Sequence, residues 1–183
     1  MVNNVESKIA KVAVIGAGTM GAAIAQHFLM KSLDVIIVDL EQASLDKGQK
    51  SISSSLDEAV VRGILTPEKK SSLMSNLTCT TSYADLSDRQ FVVEAVFENM
   101  SIKQSVFQSI EDAVGPDCII ASNTSSFSIT ELGSVLRDQT RFLGVHYFYH
   151  AAKNKLVELI PGEKTKAEKV SQLTGFYLSL IHI

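Results

Sequence analysis

The sequence predicts an α/β domain built on a doubly wound, mostly parallel sheet. Three observations predict it. Short β-branched runs alternate with longer amphipathic stretches, the order of a βαβ series. A glycine-rich segment, Gly16-Ala17-Gly18-Thr19-Met20-Gly21, joins the first apolar run to the first helical one. The second apolar run, Val35 to Val38, stops at an acidic residue, Asp39.

Each element follows from local chemistry. Val12 to Ile15 reads as a first buried strand, and from Met20 to Lys31 the residues Ile24, Phe28 and Leu29 fall on one helical face. A long polar helix is expected from Gln42 to Arg62, closed by Gly63 as the residue just beyond it. Thr66-Pro67-Glu68 has the form of an N-cap followed by proline in the first turn. Further strands are expected at Leu77 to Thr80, Phe91 to Ala95, Cys118 to Ala121, Phe142 to Tyr147 and Leu156 to Ile160. Ser101 and Gln104 are expected to form a capping box for a helix with Ile102, Val106, Phe107 and Ile110 on its apolar face. A last helix is expected from Glu168 to the C-terminus.

Composition narrows the function classes. In 183 residues, 45% are apolar and 20% charged, enough for one domain with its own core. A net charge of −3 with well-mixed signs gives no basic footprint for nucleic acid. Cys79 and Cys118 have no metal-site spacing, so no metal is expected, and they read as free thiols of a reducing compartment. MVNNVESK lacks the zones of a signal peptide, and no apolar run is long enough for a membrane span. The expected location is cytoplasmic.

A G-x-G-x-x-G motif alone is weak; between a strand and a helix it has a mechanism. Gly16 permits the tight turn, Gly18 lets the backbone approach a pyrophosphate, and Gly21 allows close helix packing. Asp39, 18 residues after Gly21, is placed to accept from both ribose hydroxyls, and no Lys or Arg stands within Asp39 to Ser44 to meet a 2′-phosphate. A Rossmann-type site for NAD rather than NADP is expected.

Ligands in such folds bind beyond the carboxyl ends of the strands. Polar clusters fall there: Glu94 to Glu98 with Lys103 nearby, Ser122-Asn123-Thr124-Ser125-Ser126, and His146. Glu158 interrupts an apolar run, and a buried carboxylate needs a partner. His146, on a neighbouring strand, can supply one, and such a carboxylate fixes the tautomer of a general base. Spacing leaves a second reading open for each: Glu158 as the wet face of an edge strand, the Ser/Thr/Asn run as a turn with caps, and Glu98 with Lys103 as an exposed surface pair.

The motifs VAVIGAGTMGAAIAQ (residues 12 to 26), VVEAVFENMSIK (92 to 103), ASNTSSFSIT (121 to 130), RFLGVHYF (141 to 148) and KLVELIPG (155 to 162) follow in one order. In this the chain resembles the N-terminal NAD-binding domain of the 3-hydroxyacyl-CoA dehydrogenases, including 3-hydroxybutyryl-CoA dehydrogenases. The resemblance implies reversible NAD-dependent oxidation of a 3-hydroxyacyl-CoA to the 3-ketoacyl-CoA, as in fatty acid beta-oxidation. It implies His146 as catalytic base, Glu158 as the carboxylate orienting it, and Ser125 as a serine near the substrate oxygen and nicotinamide, with Asn123 beside it. Met20, Asp39, Val96, Glu98 and Lys103 match positions that contact NAD, and Ser55 and Arg62 match positions near the CoA moiety.

Two departures stand out. Where the family has Asn-Pro after His-Phe-Phe, this chain has Tyr149-His150, which puts a bulkier hydroxyl group near the substrate. The family also continues into an all-helical domain that closes the cleft and forms a homodimer, so the resemblance implies a chain truncated before that domain and of low activity alone. Two alternatives differ in class. One is an NAD-binding module that has lost catalysis, as in lens crystallins similar to this family; the presence of His146, Ser125 and Glu158 together argues against it. The other is a β-hydroxyacid dehydrogenase, whose catalytic lysine segment has no match here.

Overall fold

A computed structural model describes residues 9–149, 151, 154 and 156–181. Strands β1 (Lys11–Ile15), β2 (Asp34–Val38), β3 (Leu77–Thr80), β4 (Phe91–Glu94), β5 (Ile119–Ser122), β6 (Phe142–Tyr147) and β7 (Val157–Pro161) form one sheet in the order β3-β2-β1-β4-β5-β6-β7. All neighbours pair parallel except β6 and β7, which run antiparallel. The strand order reverses between β1 and β4, a switch point where a crevice opens beyond the carboxyl ends. The doubly wound, mostly parallel sheet expected from the sequence is the one observed.

Helices α1 (Thr19–Met30), α2 (Gln42–Val61), α3 (Pro67–Met74) and α6 (Ala167–Ile181) cover one face of the sheet, while α4 (Met100–Ala113) and α5 (Ile129–Gly133) cover the other. Val12, Val14, Val35, Ile37, Phe91 and Val93 point to the first face, and Ala13, Ile15, Ile36, Val38, Val92 and Ile120 to the second. Both faces are buried, so the strands read as continuous apolar runs rather than alternating ones.

The caps behave largely as the sequence suggests. Thr66 Oγ1 accepts from Lys69 N–H at 3.2 Å, with Pro67 in the first turn of α3. Gly63 lies at φ +70°, and the N–H groups of Gly63 and Ile64 return to the carbonyls of Val60 and Ala59. The expected Ser101/Gln104 box is not what starts α4. Asn99 caps it, accepting from Ile102 N–H at 3.0 Å; Ser101 Oγ donates to the same Asn99 oxygen, and Gln104 reaches the Glu131 carbonyl. Ser101, two residues later, already lies inside the helix, so the cap falls to the Asn99 amide, which is in extended geometry. The short α5 was not expected from the sequence; Ser128 caps it by accepting from Glu131 N–H. Both cysteines are free, Cys79 half-buried and Cys118 buried. Among the described residues no helix is long and apolar enough to cross a membrane.

One core contact carries a titratable group. His27 on α1 packs against the rings of Phe28 and Tyr147, with centroids 5.9 and 6.2 Å away. Burial, aided by the Lys31 charge, pushes its imidazole down to about 4 from 6.5. The folded protein therefore takes up this proton later than the unfolded chain. Stability is full above pH 6.5 and is lost progressively as pH falls toward 4. Urea unfolding should show wild type losing about 2 kcal/mol more than His27→Leu between pH 7 and pH 5, the order set by that shift. Equal losses in the two proteins would mean that His27 is not buried neutral.

Candidate active site

The glycine segment forms a tight cradle at the end of β1. Gly16 adopts φ +101°, which only glycine holds without strain, and a Cβ there would lie 2.8 Å from the Ala95 carbonyl oxygen. The loop after β1 thus rests against the loop after β4, on the two sides of the switch point. A Cβ on Gly21 would lie 1.8 Å from the Gly16 carbonyl oxygen, so helix and turn touch backbone to backbone. Gly18 differs: it is exposed, and a Cβ would meet nothing within 4 Å. The protein itself makes no demand for glycine there, and the open space is what a close-lying pyrophosphate requires.

Helix α1 begins at Gly18 with no side-chain cap and no acidic residue in its first turn, so its N–H groups and positive dipole face that space. Met20 is half-buried beside it. Asp39, at the end of β2, accepts from Ala17 N–H at 2.8 Å and from Glu41 N–H at 3.1 Å. Its carboxylate shapes the glycine turn and stands at its edge. Cradle, helix terminus and acidic residue fit a dinucleotide.

Beyond β4 the structure removes the second reading that spacing left open, in which Glu98 and Lys103 form an exposed surface pair. Lys103 is 1% exposed and Glu94 is fully buried, with Nζ and Oε1 2.6 Å apart. Glu94 also accepts from Val96 N–H at 2.7 Å and from the Ser122 hydroxyl at 2.7 Å. Lys103 Nζ lies 3.2 Å from Glu98 Oε2 and 3.4 Å from the Val96 carbonyl. Its three protons thus have protein acceptors, and Lys103 reaches the site only through Glu98. The sequence gives the charges but not their depth, because burial of a lysine depends on partners from β4 and the loop after it.

Glu98 is the hub of the next loop. Its Oε1 accepts from the Thr124 hydroxyl, from Ser125 N–H at 3.2 Å and from the Ser126 hydroxyl at 3.3 Å. Burial tends to raise this carboxyl, but the Thr124 hydroxyl, the Lys103 ammonium and the Ser125 amide outweigh it and hold the group below the usual range. Ser122 and Thr124, both buried, were not singled out by sequence reasoning, which saw only a run of small polar residues. Asn123 binds the fold as well: its Oδ1 accepts from Tyr147 N–H at 2.9 Å. This ties β5 to the end of β6.

His146 and Glu158 are direct partners in the antiparallel β6–β7 pairing, with Nδ1 and Oε2 2.8 Å apart. The side chains are 20% and 51% exposed, and Phe148 packs on the imidazole at 4.6 Å between centroids. They line one wall of a cavity of about 450 Å³, whose other walls are Thr124 to Thr130, Ile160 and Pro161. Gly144, two pairs further along on the same face, lacks the Cβ that would meet Ile129 at 2.7 Å, so Ile129 can line the cavity beside the histidine.

Not every expected residue converges here. Ser55 is half-buried and Arg62 exposed on α2, which packs with α1, α3 and β3; neither lines the cavity. A matching position on a long helix carries no information about which strand ends that helix borders. Tyr149 is exposed just beyond β6 and also lies off the lining. His150 lies outside the described residues.

Residues 11–181 match the family described as 3-hydroxyacyl-CoA dehydrogenase, NAD binding domain. The chain is 40% identical over 163 residues to the fatty acid oxidation complex subunit alpha of Psychrobacter cryohalolentis, covering 89% of this chain and 23% of that protein. It is 38% identical to a peroxisomal fatty acid beta-oxidation multifunctional protein of Oryza sativa subsp. japonica, again covering 23% of it. The chain therefore spans about a quarter of the length of these curated relatives. Among solved structures, (S)-3-hydroxybutyryl-CoA dehydrogenase from Ralstonia eutropha superposes with a TM-score of 0.92 at 38% identity, covering 94% of this chain and 61% of that one. The Escherichia coli K12 3-hydroxybutyryl-CoA dehydrogenase gives 0.92 at 34%, covering 94% and 37%.

Two substitutions separate fold from ligand in the glycine segment. Gly21→Ala should cost on the order of 3 kcal/mol in chemical denaturation, since its Cβ meets backbone that cannot yield. Gly18→Asp should leave stability within about 0.5 kcal/mol, aspartate being a good N-cap, yet weaken NAD binding by at least about tenfold in a fluorescence titration. Undiminished affinity in Gly18→Asp would remove the pyrophosphate from this loop. Lys103→Met should destabilise by about 3–5 kcal/mol because Glu94 is left buried without its cation.

Proposed function

The chain belongs to the family of NAD-binding domains of 3-hydroxyacyl-CoA dehydrogenases, and we propose that it carries the hydride-transfer half of such an enzyme's active site. The reaction is the reversible oxidation of the C3 hydroxyl of a 3-hydroxyacyl-CoA to the 3-keto group. The observation that carries this reading is the 2.8 Å contact between His146 and Glu158 on the wall of a cavity also lined by Ser125.

Bound NAD supplies the hydride acceptor. In our reading its pyrophosphate lies on the α1 terminus against Gly16, Gly18 and Gly21, with Met20 beside it and Asp39 on the ribose hydroxyls. Val96, Glu98, Asn123 and Ser125 border the nicotinamide end, and Lys103 contributes by holding Glu98. The absence of a basic residue from Asp39 to Ser44 supports NAD over NADP.

His146 takes the proton of the substrate hydroxyl while C3 gives up its hydride. An Nδ1–H donated to Glu158 leaves Nε2 as the ring atom with a free lone pair, the tautomer a general base needs. Glu158 holds the ring in place and offsets the imidazolium charge as it forms. In the direction of reduction the same nitrogen returns the proton to the alkoxide. The exposed Ser125 hydroxyl sits across the cavity, where it can donate to the C3 oxygen. Tyr149, Ser55 and Arg62 belong to our reading as residues meeting the acyl-CoA, outside the cavity that receives C3.

We also read residues 1–183 as one dinucleotide-binding domain that works with a helical second domain in the full-length protein, where that domain closes the cleft and mediates a homodimer. Glu158 on the cavity wall is half-exposed, so the chain alone excludes water poorly and should turn over slowly. Two free cysteines suit a cytoplasmic location.

The test is reduction of acetoacetyl-CoA by NADH, followed as loss of NADH absorbance, beside an NADH titration. His146→Gln should lower turnover by about a thousandfold while the NADH Kd stays within about twofold. Glu158→Gln should lower kcat by about ten- to a hundredfold, because the ring keeps its place but loses its support. Turnover within about tenfold of wild type in His146→Gln would refute the assigned base. NADH binding without any turnover in the full-length protein would favour a binding module.

A further inference from the structure

Thr124 has no role in the reading above. It is 2% exposed, and nothing about its type or position in the sequence distinguishes it from the serines around it. Its hydroxyl nevertheless occupies the junction of the site. The Oγ1 donates its proton to Glu98 Oε1 and accepts from Ser126 N–H at 3.3 Å and Phe127 N–H at 3.1 Å. Its own N–H donates to the Ser122 hydroxyl at 3.3 Å, which in turn donates to Glu94. Glu98 Oε1 also accepts from Ser125 N–H, and Glu98 Oε2 faces Lys103.

The contacts form one connected path. The buried ion pair of Glu94 and Lys103 is fixed between β4, β5 and α4; Glu98 is held by Lys103; and Thr124 joins Glu98 to the backbone on both sides of Ser125. Ser125 itself is exposed, and Glu98 is the acceptor of its amide, so its placement over the cavity depends on this attachment.

We infer that Thr124 is a positioning residue, whose hydroxyl clamps the 122–127 loop onto Glu98 and so aims Ser125 at the substrate oxygen. The inference rests on the proposed function for its catalytic meaning. Its chemistry is specific. The clamp needs a group that donates to a carboxylate and accepts from two amides at once, within the space of a β-branched side chain. Serine can do this. Valine fills the same volume and can do neither.

The experiment compares wild type with Thr124→Val, Thr124→Ala and Thr124→Ser in two readouts. The first is amide hydrogen exchange at Ser125 and Ser126 by NMR, which needs no turnover. The second is acetoacetyl-CoA reduction by NADH, with kcat, KM and the NADH Kd determined separately. Thr124→Val and Thr124→Ala should speed exchange at Ser125 by at least about tenfold and lower kcat by about ten- to a hundredfold, the cost of a misplaced hydroxyl, with the NADH Kd within about twofold. Thr124→Ser should restore both.

Unchanged exchange at Ser125 in the two hydroxyl-free variants would overturn the inference, as would a failure of serine to rescue. Loss of folding in both hydroxyl-free variants, with Thr124→Ser folded, would assign the hydroxyl to global stability and overturn it too. Absence of turnover in the full-length protein would refute the proposed function instead, and the exchange rates would still report whether Thr124 holds Ser125.

Discussion

The buried ion pair of Glu94 and Lys103 is the constraint around which the site is arranged. Two charges withdrawn from water carry a desolvation cost of several kcal/mol each, tolerable only where every remaining lone pair and proton finds a partner. Here Ser122, Val96 and Glu98 supply those partners. The requirement fixes the end of β4, the end of β5 and the first turns of α4 relative to one another. Val96, held by the same pair, and Ala95 beside it are also the backbone against which Gly16 packs. The glycine cradle and the polar loop are thus braced by a single electrostatic anchor at the switch point of the sheet.

The two-residue period of β6 divides labour between the faces of the sheet. Leu143, Val145 and Tyr147 enter the core beneath α1 and α6, where the Tyr147 and Tyr177 hydroxyls meet at 2.7 Å in full burial. That burial drives both phenols well above their ordinary range, so they remain neutral donors and acceptors. Gly144 and His146 face the other way, toward α5 and the cavity. A slip of one residue in this strand would drive the imidazole into the core and a valine into the site. The register that places His146 opposite Glu158 is therefore enforced by apolar packing on the far side, not by the pair itself.

The sequence made the fold and the glycine cradle legible, and the reasons are local. Apolar runs, turn glycines and the Thr66-Pro67 cap act over a few residues, so their outcome can be read along the chain. The meeting of His146 and Glu158 was legible as a pairing but not through burial: Glu158 is half-exposed on the outermost strand, so the partner reading and the wet-edge reading hold together. What escaped was depth and shared partnership. Lys103 reads as surface because lysines mostly are, and only the convergence of Glu94, Val96 and Glu98 on its ammonium shows otherwise. Thr124 is indistinguishable from Ser125 and Ser126 until the acceptor at Glu98 is located. Asn99 displaced Ser101 as the cap of α4 because cap choice depends on backbone angles that neighbouring residue types leave undetermined.

Among the described residues strand β7 forms the border of the sheet, with β6 on one side and no strand on the other. Glu158 belongs to this border, while the glycine cradle hangs from β1 at the centre. Peripheral strands open locally at a lower free energy than central ones. On these grounds the contact between Glu158 and His146, at the border, should loosen on warming before the glycine cradle at the centre does.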